Sequence, residues 1–226
     1  DYVFSLCNWG AADVRQWGHD VGNIWRTSQD ITPEWTRMLH TFDSAATRAL
    51  YAHPGAWNDP DMLFVGHGDF DENHLTEARS HFSLWAIINA PLIIGYDLRK
   101  APKSLMDIWG NADIVRLNQD RGGHQAVLEY MSDDVEIFVK TLSNGDKAVA
   151  IFNRGLAPAD VALTADHLKM TGSIALTDLW SKNTQSFSGE TLLKVAPRET
   201  LVFEAKGARQ LADHGASPDR DSVRHA

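Results

Sequence analysis

The sequence predicts two parts of different fold class: an α/β part amounting to about half of a (β/α)8 barrel, then an antiparallel β-sandwich. Three observations predict this. Short apolar runs alternate with helix-periodic stretches over residues 1–120, turn-separated strand-like runs follow, and polar residues gather just after each early apolar run. Strands alternating with helices make parallel βαβ units. Short strands punctuated by turn residues at regular spacing make sandwiches.

Taken in order, residues 3–7 are the first strand-like run and end in Asn8-Trp9-Gly10. Residues 23–26 are the second, ending in Thr27-Ser28-Gln29-Asp30. The turn-rich segment 56–62 is the third, and 91–95 the fourth, ending in Tyr96-Asp97. Between them, residues 34–50 place Trp35, Met38, Leu39, Phe42, Ala45, Ala46 and Leu50 on one helical face. Residues 73–89 are the clearest helix, with Pro91 just beyond the end. Segments 104–108 and 112–118 are shorter helical pieces. Four such units are about half of an eight-stranded barrel, in which loops at the C-terminal strand ends build the active site.

The pattern changes near Gln119-Asp120-Arg121-Gly122-Gly123. Strand-like runs then cover 126–131, 135–142, 147–152, 159–163, 174–180, 184–187, 191–195 and 199–204. Asn144-Gly145 between two of them is the strongest hairpin signal. The expected division is a half-barrel over 1–120, a β-sandwich over 121–206 and a disordered polar tail over 207–226.

Composition excludes several classes. The formal net charge is −9 over 226 residues, without a dense Lys/Arg cluster, which argues against nucleic acid as a partner. No apolar run is long enough to span a bilayer. Cys7 is the one cysteine, so no disulfide forms within the chain and the compartment stays open. Ten histidines show no metal-ligand spacing; His74 and His81 read as surface polarity, and no metal or other cofactor is expected. The start, Asp1-Tyr2-Val3, carries no initiator Met or signal peptide and reads as the middle of a protein.

Four segments could carry chemistry. In Trp25-Arg26-Thr27-Ser28-Gln29-Asp30-Ile31, Arg26 and Asp30 lie four residues apart beyond a strand. Asp30 could serve as a general acid, with Arg26 tuning it or holding a sugar hydroxyl. The alternative is that it caps the helix beginning near Pro33, and spacing alone favours the cap. In Trp57-Asn58-Asp59-Pro60-Asp61-Met62, two carboxylates flank a proline that can aim them differently. They could accept sugar hydroxyls beside an aromatic platform, or simply build an Asx-type turn. Cys7-Asn8-Trp9 ends the first strand; a buried structural Cys7 is the default, and Trp9 is as much a candidate for core as for platform. Asp97 and Arg99 form a candidate local ion pair of structural type.

Together these segments resemble the melibiase-type α-galactosidases, glycoside hydrolase family 27. The resemblance rests on Ser5-Leu6-Cys7-Asn8-Trp9-Gly10, on 22–31, on Trp57-Asn58-Asp59-Pro60-Asp61-Met62-Leu63, on 90–99 and on Asn118-Gln119-Asp120, in that order. It implies the C-terminal half of a (β/α)8 TIM barrel, about strands 5 to 8. It also implies a retaining exo-hydrolase of terminal α-D-galactosides, an extracellular or periplasmic setting and a galactoside as the partner. Asp30 stands where the family has its acid/base. Cys7, Asn8, Trp9, Arg26, Asp61 and Met62 match positions lining the sugar pocket. Retaining enzymes use two carboxyl groups about 5–5.5 Å apart. The family's nucleophile lies in a Lys-Tyr-Asp type strand upstream, a motif this chain lacks, so a fragment without turnover of its own is expected. Asn8 departs from the Glu of many relatives. That leaves α-N-acetylgalactosaminides and β-L-arabinopyranosides as alternative substrates.

Overall fold

A computed structural model describes residues 2–210. The first part runs β1 (Ser5–Leu6), α1 (Val14–Val21), β2 (Ile24–Arg26), α2 (Trp35–Ala46), β3 (Trp57–Asp59), α3 (Leu75–Ile87), α4 (Lys103–Trp109) and α5 (Ala112–Asn118). The three strands form one parallel sheet in the order β1-β2-β3. Leu6 sits opposite Trp25, and Arg26 opposite Asp59, so the three C-terminal ends lie side by side.

Two details differ from the sequence reading. The expected fourth strand, 91–95, is reduced to a single parallel bridge between Leu63 and Ile94. Pro91 has no N–H to donate, and the contact consists of Leu63 N to Ile93 O and Gly95 N to Leu63 O. Helix α1 carries too few apolar residues to show in the periodicity and has a glycine inside it. Gly18 is required by a close approach: a Cβ there would lie 2.9 Å from the buried indole of Trp25. The helix thus gives up propensity for packing.

Helix α2 buries Trp35, Met38, Phe42, Ala45 and Ala46, the face the spacing predicts, but ends at Ala46. Leu50 follows in a short 3-10 turn and is exposed. Helix α3 is buried on nearly every side from Ser80 to Ile87, as a helix between two layers must be.

Among the described residues the second part contains eight strands, as its turn spacing predicts. They are β4 (Val127–Met131), β5 (Val135–Thr141), β6 (Lys147–Asn153), β7 (Ala159–Thr164), β8 (Met170–Asp178), β9 (Thr184–Ser188), β10 (Glu190–Val195) and β11 (Thr200–Arg209). A six-stranded antiparallel sheet has the order β4-β5-β6-β11-β8-β9, and β10 pairs with β7 in a second sheet. Strand β11 runs past residue 206; the rest of the expected disordered tail, 211–226, lies outside the described residues.

Strands β5 and β6 show why the parts stay together. Side chains alternate across a strand. Ile137, Val139, Val149 and Ile151 fill the core between the two sheets. Phe138, Ala148, Ala150 and Phe152 join the core shared with α2 and α3. Phe152 meets Trp35 edge-on at 5.9 Å between ring centres, and Phe138 meets Phe42 at 5.4 Å. Polar ties cross the same boundary. Arg154 grips Asp43 with both Nη atoms, at 3.1 and 2.7 Å, and Glu136 at 2.6 Å. Ser80 Oγ donates to Arg198 O at 2.6 Å. Lys140 Nζ is buried and donates to Asn89 Oδ1 and Leu117 O; burial pushes its amine down to about 7.

Candidate active site

The site is built at the C-terminal ends of β1, β2 and β3. Arg26, the last residue of β2, is buried with a side chain only 8% exposed. Its Nη2 lies 2.7 Å from Asp61 Oδ2 and 3.2 Å from Asp30 Oδ1. Its Nη1 points to Cys7 Sγ at 3.9 Å, and its Nε is buried without a partner. One guanidinium therefore gathers residues from three strand ends, two of them carboxylates.

The two carboxylates have different surroundings. Asp61 is 16% exposed and fully engaged: besides Arg26 it accepts Ile31 N at 2.9 Å and Met62 N at 2.8 Å. The Asp30 side chain is 69% exposed and has Arg26 as its side-chain partner. The helix-cap alternative fails on geometry. Glu34 occupies the N-cap position of α2, and Trp35 N donates to Asp69 Oδ2 at 2.8 Å. Asp69, 34 residues further on, does the capping.

Asp59 and Asp61 flank Pro60 and do point differently. Asp59 is 6% exposed and accepts Asp61 N at 2.8 Å. Burial pushes its carboxyl up to about 6, against the pull of that N–H and of Arg26. Asp61 has φ +92°, a value an L residue seldom holds. Helix α3 helps fix it, because Trp85 Nε1 donates to Asp61 O at 2.7 Å.

Of the β1 loop, Cys7 is exposed, contrary to the buried structural role expected of it. The strand is only two residues long, and Cys7 already belongs to the loop. Trp9 is 54% exposed, hence not core. Asn8 Nδ2 donates to Ala11 O at 2.8 Å, while its Oδ1 is buried without a partner. Gly10 has φ +79°, and a Cβ there would lie 2.3 Å from Thr27 O. That glycine lets the Cys7-Asn8-Trp9 loop close against the end of β2. Met62 is half-buried and packs on the large core. Asp97 and Arg99 form the expected local ion pair, at 2.8 and 2.9 Å.

His81 is not surface polarity. It is fully buried in α3, accepts Phe64 N at 3.0 Å through Nε2 and packs edge-on against Trp85 at 4.1 Å. Burial pushes its pKa down to about 3, so the ring is neutral. Among the described residues, no group of three side chains is placed to hold a metal ion, and no helix is long and apolar enough to cross a membrane. A cavity of about 500 Å³ opens at the opposite end, beside Asn23, Trp57 and Pro91 at or before the strand starts. The carboxylates converge at the loop end, the end at which (β/α)-barrels generally build their active sites.

A half-barrel of parallel strands with carboxylates on its C-terminal rim, backed by an antiparallel sandwich, is an architecture suited to glycoside hydrolysis. A family profile described as "Alpha galactosidase A" matches residues 7–120, and one described as "Alpha galactosidase C-terminal beta sandwich domain" matches 132–205. The chain belongs to the α-galactosidase (melibiase) family. It is 38% identical over 202 residues to an α-galactosidase of Oryza sativa subsp. japonica, covering 88% of this chain and 48% of that protein. A crystal structure of a candidate α-galactosidase/melibiase from Bacteroides fragilis superposes with TM-score 0.84 at 34% identity, covering 90% of this chain and 47% of that one. A β-L-arabinopyranosidase structure from Geobacillus stearothermophilus shares the fold, with TM-score 0.84 at 21% identity over 95% of this chain and 51% of that one. The chain spans about half the length of the curated relatives it matches.

Proposed function

We propose that the protein acts as a retaining exo-α-galactosidase, with Asp30 as general acid/base in the half-barrel over 1–120 and the β-sandwich over 121–206 as its support. One observation carries this reading: of the carboxylates on Arg26, Asp61 is 16% exposed and saturated, whereas Asp30 is 69% exposed and has Arg26 as its one side-chain partner. A group that donates and then takes back a proton must reach substrate and water; a group that fixes a sugar must stay put. Asp61 and Arg26 are the positioning pair. Cys7, Asn8, Trp9 and Met62 are the further residues assigned to contact the sugar.

In the first step Asp30 protonates the departing glycosidic oxygen while a nucleophilic carboxylate bonds to the anomeric carbon and the C1–O bond breaks. In the second step the Asp30 carboxylate takes a proton from water, whose oxygen attacks C1 and releases the nucleophile with retained configuration. Asp61 is committed to three partners and Asp59 is buried, which suits neither to that role. The family resemblance places the nucleophile in an upstream Lys-Tyr-Asp type strand, so the reading draws that carboxylate from outside these 226 residues.

A panel of aryl glycosides tests the substrate class on the full-length protein encoded by the gene. Aryl α-D-galactopyranoside is expected to give the highest kcat/KM. A higher value on α-N-acetylgalactosaminide or β-L-arabinopyranoside would replace the proposed sugar.

A further inference from the structure

Asp61 holds a left-handed backbone that costs a non-glycine residue on the order of 1–3 kcal/mol. Such a conformation persists only where its surroundings over-determine it. Pro60 has no N–H, so the first amide the turn can use is Asp61 N, which donates to Asp59 Oδ1 at 2.8 Å. The residue before a proline is extended, and Asp59 is accordingly the last residue of β3. Its own carbonyl accepts Thr27 N at 2.9 Å and Thr27 Oγ1 at 3.3 Å, which ties it to the residue following Arg26. Asp59 thus touches the backbone on both sides of the Arg26–Asp61 pair. Its carboxyl reaches neither Asp30 nor Arg26 by a hydrogen bond among the described residues. A carboxyl group this deeply buried is costly to keep unless its place matters.

We propose that Asp59 is a positioning residue of this site: by accepting the Asp61 N–H it holds Asp61 left-handed. Through the Asp61 carboxylate it then fixes where Arg26, and hence Asp30, stands. The inference rests on the α-galactosidase reading only for the choice of substrate. Asp59→Ala removes the acceptor, lets Asp61 relax toward an ordinary φ and turns its carboxylate away from Arg26. Asp59→Asn keeps an amide oxygen in the same place.

The test is steady-state kinetics of the full-length protein on whichever glycoside the unaltered protein cleaves best. Thermal melts and isothermal titration with the free sugar accompany it. Asp59→Ala is expected to lower kcat/KM by at least about tenfold, mainly through KM. Asp59→Asn is expected to stay within about threefold, because it retains the hydrogen bond. A merely structural Asp59 would lower the melting temperature of both variants without this split. Ala within about twofold of the unaltered protein would overturn the proposal, as would Asn as impaired as Ala. Should Asp59→Ala fail to fold, sugar binding by Asp59→Asn decides. Affinity within about threefold is expected, and a folded variant that has lost binding contradicts the proposal. Failure of the α-galactosidase reading would show separately, as an unaltered protein that prefers another sugar.

Discussion

Asp30 and Asp69 divide between them two roles that one aspartate near a helix start could play. Spacing could not separate the roles, because a cap and a rim carboxylate leave the same trace: an acidic residue just before a helix. What separates them is a contact 34 residues away, Trp35 N to Asp69 Oδ2, which no local pattern encodes. The prediction at this scale is therefore a contrast in stability. Asp69→Ala should cost about 1 kcal/mol in urea unfolding, as loss of a cap does, while Asp30→Ala should change stability by less than half that. Equal losses would return Asp30 to the capping role. The exposure of Cys7 and the burial of His81 escape the sequence pattern for a related reason. Exposure depends on where a loop or helix lies, and a two-residue strand and a helix buried on nearly every side are both invisible to residue type.

Among the elements, those with a strong apolar period were legible and those shaped by contact were not. Helix α2 and the eight β-strands follow their spacing. Helix α1 was hidden because Gly18 yields to Trp25, and the fourth barrel run lacks a partner long enough to make it a ladder. Helix α3 links an element to the site: its Trp85 holds Asp61 O, and His81 lies against Trp85. The pH dependence of that helix has a definite sign. The His81 pKa is about 3 folded and 6.5 unfolded, so only the unfolded chain takes up its proton between those values. Stability from this group is complete above pH 6.5 and is lost as pH falls toward 3. Asp59 acts oppositely between 3.8 and 6, where the folded carboxyl keeps its proton. Comparing variants isolates the histidine. His81→Gln, which can still accept the Phe64 N–H, is expected to melt lower at pH 7 but to lose less in Tm between pH 7 and 4 than the unaltered protein. An equal or steeper loss would show that His81 does not carry this term.

At the scale of the whole molecule, the β-sandwich is bonded to the face of α2 and α3 that lies behind the site. The shared core and the Arg154 grip on Asp43 and Glu136 join them. Removing Arg154 leaves Glu136, 6% exposed, without its cation. Arg154→Ala is expected to cost about 3 kcal/mol, or roughly 6–12 °C in Tm by differential scanning calorimetry. A shift under about 2 °C would mean that the apolar contacts alone hold the parts together. This docking was not legible in the sequence, because alternation along β5 and β6 predicts one buried face and both are buried. The site was legible as a set of segments but not as an assembly: no spacing shows that Arg26 stands between Asp30 and Asp61. The central claim is that Asp30 is the acid/base. It is tested most directly by full-length Asp30→Ala on two aryl α-galactosides, one with a poor leaving group and one with a dinitrophenolate that needs no proton. The account predicts a loss of at least about a hundredfold in kcat/KM on the first and a much smaller loss on the second. Unchanged rates on the poor leaving group would contradict it.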